Sequence, residues 1–199
     1  MGRGKSDDET RSCWLPGGGR RHVGLLGLVL FVGAVVVAAV AVGLQSWASQ
    51  ETNIWEKTIG LFQRCDDRKG GRLVCESISG IDCSKAAKES DCDEMVVTLT
   101  AIAALMIIGA ILSLGSAVLC TPGIQMHAVS CIVGIVSGLL FLISVILFAV
   151  MDRKFSGYFQ KEACLSTSFG CAIAALFLAW CASAVAGIAT REEEDDEDY

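Results

Sequence analysis

Charged residues are missing from three long stretches of the sequence. No Asp, Glu, Lys or Arg occurs in residues 22–50, 95–151 or 163–190. A charged side chain at the centre of a bilayer costs about 2.5–3.5 kcal/mol on insertion scales. Soluble core helices seldom run so far without a charge. The three stretches therefore argue against a soluble helical protein and predict membrane-spanning helices.

Proline is scarce as well, and one of the two prolines divides the middle stretch. Pro122 lies in the Thr-Pro-Gly segment 121–123, which breaks a helical pattern and makes a tight turn. The first span is not a cleaved signal peptide, because 22 residues precede it and its apolar run exceeds a signal h-region. The predicted spans are 23–44, 96–119, 128–150 and 165–189, separated by loops 45–95 and 151–164 on one side.

Groups that carry catalysis or transport are absent from the predicted spans. The sequence shows no Ser/His/Asp set, phosphate-binding loop or metal-ligand cluster, and the spans contain no ionisable residue except cysteine. A transporter or proton relay would place Asp, Glu, Lys or His there. We therefore predict no enzyme activity and no catalytic, cofactor-binding or metal-binding residues. His127 is interpreted as a solvated histidine at the membrane edge, and no basic stripe indicates a nucleic-acid partner.

Cysteine, in contrast, is abundant, and four of the ten cysteines lie in loop 45–95. Disulfides persist in oxidising compartments, so this loop is predicted to be extracellular or lumenal and both termini cytoplasmic. The Lys and Arg totals of the loops do not decide the orientation, although Arg20 and Arg21 beside span one favour a cytoplasmic N-terminus. The four cysteines are Cys65, Cys75, Cys83 and Cys92.

Of the three pairings that four cysteines allow, Cys65–Cys75 is preferred. Residues 66–71, which end in Gly-Gly, are predicted to form a hairpin tip between strand-like segments 58–62 and 72–74. A zinc site would need Cys-x₂₋₄-Cys or histidine spacing, and the loop has neither. The second bridge would be Cys83–Cys92.

The first loop also carries a recognisable motif. Trp47 ends span one, and it is followed by Gly-Leu-Phe-Gln-Arg-Cys at 60–65 and then by Cys75. The order resembles the W…G-L-W-x-x-C…C signature of the claudin superfamily, which includes claudins, peripheral myelin and epithelial membrane proteins and channel gamma subunits. Four spans with a long first loop also fit. The signature positions are Trp47, Gly60, Leu61, Phe62, Cys65 and Cys75, with Phe62 standing where the signature has tryptophan.

The resemblance implies a fold and two alternative functions. The implied fold class is an all-α transmembrane four-helix bundle with a small extracellular antiparallel β-sheet formed mainly by the first loop, anchored through Trp47 and the Gly-Leu-aromatic set. The implied function is to mediate or regulate cell–cell junctions at the plasma membrane, through contacts with itself or other claudin-like proteins in cis or in trans. The alternative is an auxiliary subunit that modulates trafficking or gating of a channel or receptor.

The two ends of the chain lie outside this four-span domain, 23–189. Segment 1–22 is predicted to be cytoplasmic, and Gly2 stands in a Met-Gly-x-x-x-Ser myristoylation pattern. Cys13 and Cys120 are candidates for palmitoylation beside the membrane. Residues 192–198 are all acidic, so 190–199 is predicted to be a solvated tail without a fold.

Small residues recur along span three. Ser130, Ser137 and Ser144 repeat every seven residues, and Gly134 with Gly138 forms a Gly-x-x-x-Gly motif. Small side chains allow membrane helices to approach closely. Packing within one bundle is favoured over contacts between copies.

Overall fold

Four long helices form the body of the protein. The computed structural model describes residues 19–51, 55–68, 74–81, 89–121, 124, 126–158 and 164–197. Within them the predicted bundle is confirmed. Its helices are α1 (Gly19–Gly43), α2 (Glu89–Leu119), α3 (His127–Tyr158) and α4 (Thr167–Glu197).

Each helix contains a segment long and apolar enough to cross a membrane, so the chain is a multi-pass membrane protein. The shortest segment has 21 residues, which at 1.5 Å per residue covers a hydrocarbon core of about 30 Å. The four segments agree with the predicted spans to within a few residues at each end. They are Val23–Gly43, Cys92–Leu119, His127–Met151 and Thr167–Thr190.

The acidic C-terminal segment differs from the prediction. Helix α4 continues through Glu197, so residues 192–197 are helical and do not form a separate tail. Acidic residues at a helix C-terminus oppose the helix dipole. Extending an existing helix nevertheless needs no new nucleation, and Glu is a good helix former. These two effects explain how the helix continues into the acidic run.

The helices form a closed ring in which each packs against two neighbours, in the order α1, α2, α3, α4 and back to α1. Gly134 and Gly138 lie on the side of α3 that faces α4, and Gly134 also faces Phe31 of α1 across the ring. A Cβ atom on Gly134 would overlap Ser183 of α4 and come within 2.7 Å of the Phe31 ring of α1. A Cβ atom on Gly138 would overlap the Trp180 indole. The Gly-x-x-x-Gly motif therefore serves packing inside the bundle.

A five-stranded antiparallel sheet caps one end of the ring, which we call the sheet end; the other is the turn end. Strand order is β4-β3-β2-β1-β5, and a short 3₁₀ helix (Ile78–Gly80) follows β4. Four of the five strands come from the first loop, in agreement with the prediction that this loop forms most of the sheet. The strands are β1 (Ala48–Glu51), β2 (Trp55–Ile59), β3 (Gln63–Arg68), β4 (Val74–Ser77) and β5 (Cys164–Leu165).

The predicted hairpin is present between β3 and β4, but its first flank was assigned wrongly. Segment 58–62 was predicted to be the strand before the tip, whereas β2 ends at Ile59, the chain turns at 60–62, and β3 precedes the tip. Asp66 and Asp67 belong to β3 and not to a tip. The tip itself, 69–73, lies outside the described residues. The chain turns after Ile59 because Gly60 packs against the Gln45 backbone just beyond α1, a contact that local sequence patterns do not reveal.

Candidate functional site

Trp47 joins the sheet to the bundle. Its side chain is fully buried, and the indole Nε1–H donates a hydrogen bond of 2.7 Å to the Ala41 carbonyl in the last turns of α1. The ring centroid lies 4.9 Å from that of Phe148 in α3 and 6.3 Å from that of Phe169 in α4. A buried indole that is both packed and hydrogen-bonded fixes the position of β1 on three helices.

Backbone hydrogen bonds attach the same strand to β2 and to the start of α4. The Trp47 N–H donates to the Ile59 carbonyl at 2.8 Å, and the Trp47 carbonyl accepts from Ser166 N–H at 3.1 Å. Ser168 N–H donates to the Ser46 carbonyl at 3.3 Å. The sequence reading missed Ser166 and Ser168, because nothing local indicates that the second loop would pair with β1.

Gly60 occupies a position in this chain where a side chain does not fit. A Cβ atom there would lie 2.9 Å from the Gln45 Cα and 3.1 Å from its carbonyl carbon. Real Cβ contacts with backbone are essentially never as short as 2.9 Å, so any other residue would push the β2–β3 turn away from Gln45, just beyond the end of α1. The neighbouring Leu61 is only 2 % exposed and belongs to the core shared by sheet and bundle.

Phe62 departs from the expected anchoring role. Its side chain is 49 % exposed and lines a cleft with Leu44 and Gln63 at the end of α1. Trp47, Ile59 and Leu61 fill the interface between sheet and bundle. Of the predicted Gly-Leu-aromatic set, the aromatic side chain therefore lies on the rim of this interface.

The disulfide predicted between Cys65 and Cys75 is present. The two residues are direct partners in the β3–β4 register, with Cα atoms 4.1 Å apart. Gln45 Oε1 lies 3.2 Å from the Cys65 Sγ; a disulfide sulfur carries no hydrogen, so this is a packing contact. Cys92, at the start of α2, is also disulfide-bonded. Its predicted partner Cys83 lies outside the described residues.

The strands also bring charges of opposite sign together. Lys57 is the direct partner of Asp66, and Arg64 is the direct partner of Glu76. Arg64 and Asp66 form an ion pair of 3.2 Å within β3. The other carboxylate oxygen of Asp66, Oδ1, is buried without a hydrogen-bond partner. Opposite charges facing each other across strands stabilise the sheet modestly.

At the turn end, His127 corrects the prediction of a solvated histidine. It is 9 % exposed, and its Nδ1 is buried without a partner. The ring lies against α1: a Cβ atom on Gly24 would stand in ordinary van der Waals contact with the imidazole, 3.5 Å from its Cε1. Contact with another helix contributes to this burial, so span boundaries gave no indication of it.

Cys120 is equally buried, which disfavours its predicted lipidation. The side chain is 2 % exposed, and its thiol lies 3.0 Å from the Ser130 hydroxyl. Burial raises the pKa of the Cys120 thiol. A buried, protonated thiol is a poor nucleophile. The other predicted lipidation positions, Gly2 and Cys13, lie outside the described residues.

Among the described residues, no group of three or more His, Cys, Asp or Glu side chains is arranged to hold a metal ion. The sheet and its junction with the bundle bring together Trp47, Gly60, Leu61 and the Cys65–Cys75 bridge, and they are the candidate functional site. Comparisons with protein-family models and with curated proteins found no match for this chain. The resemblance to the claudin superfamily stays a prediction that rests on the residues of the first loop.

Proposed function

We propose that this four-span membrane protein mediates contacts between neighbouring cells through its disulfide-bonded sheet, in the manner of claudin-like proteins. The observation that carries the proposal is the attachment of the sheet. Trp47 is buried against two other aromatic rings and hydrogen-bonded to α1. A surface held this firmly by the bundle is pre-organised to bind a partner, because little conformational freedom is lost on contact.

The exposed part of the sheet has the chemistry of a recognition surface. Strand β4 is exposed along its whole length, and Val74 is 56 % exposed. Among the described strands, β4 pairs only with β3, so its outer edge offers free backbone donors and acceptors. Opposite charges face each other at Lys57 and Asp66 and at Arg64 and Glu76, whereas Glu51, Glu56 and Asp67 place three acidic residues side by side. Such a surface favours a partner of matching pattern, such as a second copy on the opposing cell.

The test is to express the full chain in cells without adhesion proteins and to image a fluorescent fusion. We expect enrichment at borders between two expressing cells and none at borders with a non-expressing cell. Freeze-fracture images of the same borders should show intramembrane strands. Enrichment without strands, or recovery of a channel or receptor with the chain, would favour the auxiliary-subunit alternative.

A matched pair of variants tests whether the sheet is the contact surface. Val74→Asp places a charge on the exposed edge strand and should abolish enrichment at borders. Ile124→Asp is the control, because Ile124 is also an exposed apolar residue outside the spans, 47 % exposed, but lies at the turn end. Equal loss of enrichment in both variants would contradict contact through the sheet.

The proposal requires the sheet to face the cell exterior, as the disulfide chemistry favours. An epitope tag placed before Arg3 or after Tyr199 should then be detected only after permeabilisation. Staining of intact cells at either terminus would show the opposite topology, in which the sheet does not lie at the cell surface.

A further inference from the structure

A cleft opens beside the site just described, where α1 ends. Its volume is about 110 Å³, and its walls include Gly43, Leu44, Gln45, Phe62 and Gln63. Gly43 is the last residue of the first membrane segment. The cleft therefore lies at the level where the hydrocarbon core gives way to lipid headgroups.

The walls are apolar on the side nearer the bilayer. Leu44 is 39 % exposed and Phe62 is 49 % exposed, and a Cβ atom on Gly43 would meet nothing within 4 Å. In water these side chains would leave an uncovered apolar surface. At this depth lipid covers them, so the occupant is expected to be a membrane component.

The polar part of the lining is uncharged. Gln45 Nε2 donates a hydrogen bond of 2.8 Å to Gln63 Oε1, which leaves the NH₂ group of Gln63 free to donate to another acceptor. No charged residue contributes to the wall of the cleft. An anionic or zwitterionic headgroup would find no partner of opposite charge here, whereas a neutral hydroxyl would find an amide.

Shape and size restrict the ligand further. A cavity of about 150 Å³ encloses a whole benzene ring, so this smaller cleft takes only the leading edge of a ring, and the rest of the lipid lies outside it. Gly43 has no side chain and Phe62 carries a planar ring, so a flat ligand edge can lie against both. A rigid ligand also loses less conformational entropy on binding than a flexible acyl chain.

From these features we infer that the cleft binds the hydroxyl-bearing end of a membrane sterol, with the hydroxyl accepting a hydrogen bond from Gln63 and the first ring packing between Gly43 and Phe62. The inference does not depend on a role in cell contact, because it rests on the lining of the cleft alone.

The experiment uses the full-length chain in phosphatidylcholine nanodiscs that contain a photoactivatable cholesterol analogue. After irradiation, mass spectrometry should find the label on residues 42–45 and 60–63. Unlabelled cholesterol should compete, whereas additional phosphatidylcholine and epicholesterol, whose hydroxyl has the opposite configuration, should compete poorly.

Gly43→Leu is the key variant, because Gly43 lines the cleft and a Cβ atom there meets nothing within 4 Å, so the substitution adds volume at the cleft from an open position. We expect about a tenfold loss of affinity for the analogue, since the apolar end of the sterol can no longer be buried. Gly115→Leu is the matched control. Gly115 is also a glycine of a membrane segment with nothing within 4 Å of a built Cβ atom, and its variant should bind as the parent does.

Phe62→Ala gives a second test in case Gly43→Leu fails to fold, because Phe62 is half exposed; labelling should again fall severalfold. Three outcomes would overturn the inference. They are the absence of labelling at the cleft, competition by phosphatidylcholine as strong as that by cholesterol, and crosslinks through Phe62 that join two copies of the chain. Competition by phosphatidylcholine would assign the cleft to bulk lipid, and crosslinks between copies would assign it to a protein contact.

Discussion

The two ends of the bundle are held together by different kinds of contact. At the sheet end, the large side chains of Trp47, Phe148 and Phe169 pack as one aromatic group, with Phe148 and Phe169 centroids 5.8 Å apart. Towards the turn end, a smaller core centres on Phe31 and consists otherwise of alanine and Cys120. Glycine and serine allow the helices to approach closely there.

Hydrogen bonds between helices accompany these small residues. Ser137 Oγ donates to the Gly109 carbonyl at 2.7 Å, so the 2.7 Å contact with Ser113 Oγ must be donated by Ser113. By the same reasoning Ser130 donates to the Ser116 carbonyl at 2.9 Å and accepts from Cys120. The sheet end therefore depends on a few large side chains, and the helix body on many small contacts.

The largest effect is expected from Trp47→Ala. Removing a buried aromatic ring of this size costs about 3–5 kcal/mol of unfolding free energy. Titration of the purified, detergent-solubilised chain with SDS unfolds it and measures this loss of unfolding free energy. Trp47→Phe is the control, because it keeps a ring but loses the bond to Ala41, and should cost about 1 kcal/mol for the hydrogen bond. Equal losses in both variants would contradict an anchor made by ring packing.

Cys65→Ser should have the next largest effect. The bridge spans ten residues of sequence, and the chain-entropy account gives about 2–3 kcal/mol for so short a loop. We expect retention of the variant in the endoplasmic reticulum. Cys181→Ser is the matched control, because Cys181 is free and exposed. Unreduced peptides that pair Cys65 with another cysteine would contradict the assigned bridge.

At the helix interfaces, Gly134→Ala should be harmful although the change is small. The added methyl group meets Ser183 and Phe31, and overpacking of this kind costs about 1–3 kcal/mol. Gly115→Ala has open space and should be neutral or slightly stabilising, because alanine is the better helix former. The same SDS titration compares the two. If both variants had the same unfolding free energy, close packing of the helices would not explain why residue 134 is glycine.

The smallest effect is expected from Ser137→Ala. Hydrogen bonds between membrane helices average about 0.6 kcal/mol in double-mutant cycles. A cycle that combines Ser137→Ala with Ser113→Ala should therefore give a coupling energy of that size. A coupling as large as the effect of Trp47→Ala would mean that the helix body, like the sheet end, depends on single residues.

The sequence predicted the spans well because the cost of placing a charge in lipid is a local property of each segment. Span ends were predicted less precisely, because a helix does not have to end where the hydrocarbon core ends. Helix α4, for example, continues through Glu197. The disulfide followed from spacing. The strand boundary at Ile59 did not, because contact between Gly60 and the Gln45 backbone selects it. Burial of His127 against α1 is likewise a contact between distant segments.

Attachment of β1 to two helices determines how the protein would respond to mechanical tension. The strand continues from α1 through residues 44–46, and its Ser46 and Trp47 carbonyls accept hydrogen bonds from the segment that begins α4. A force on β1 is therefore divided between a covalent route into α1 and a hydrogen-bonded route into α4. Because α1 and α4 also pack against each other, both of these routes load one helix pair, and contact between the Trp47 and Phe148 rings carries part of the load to α3.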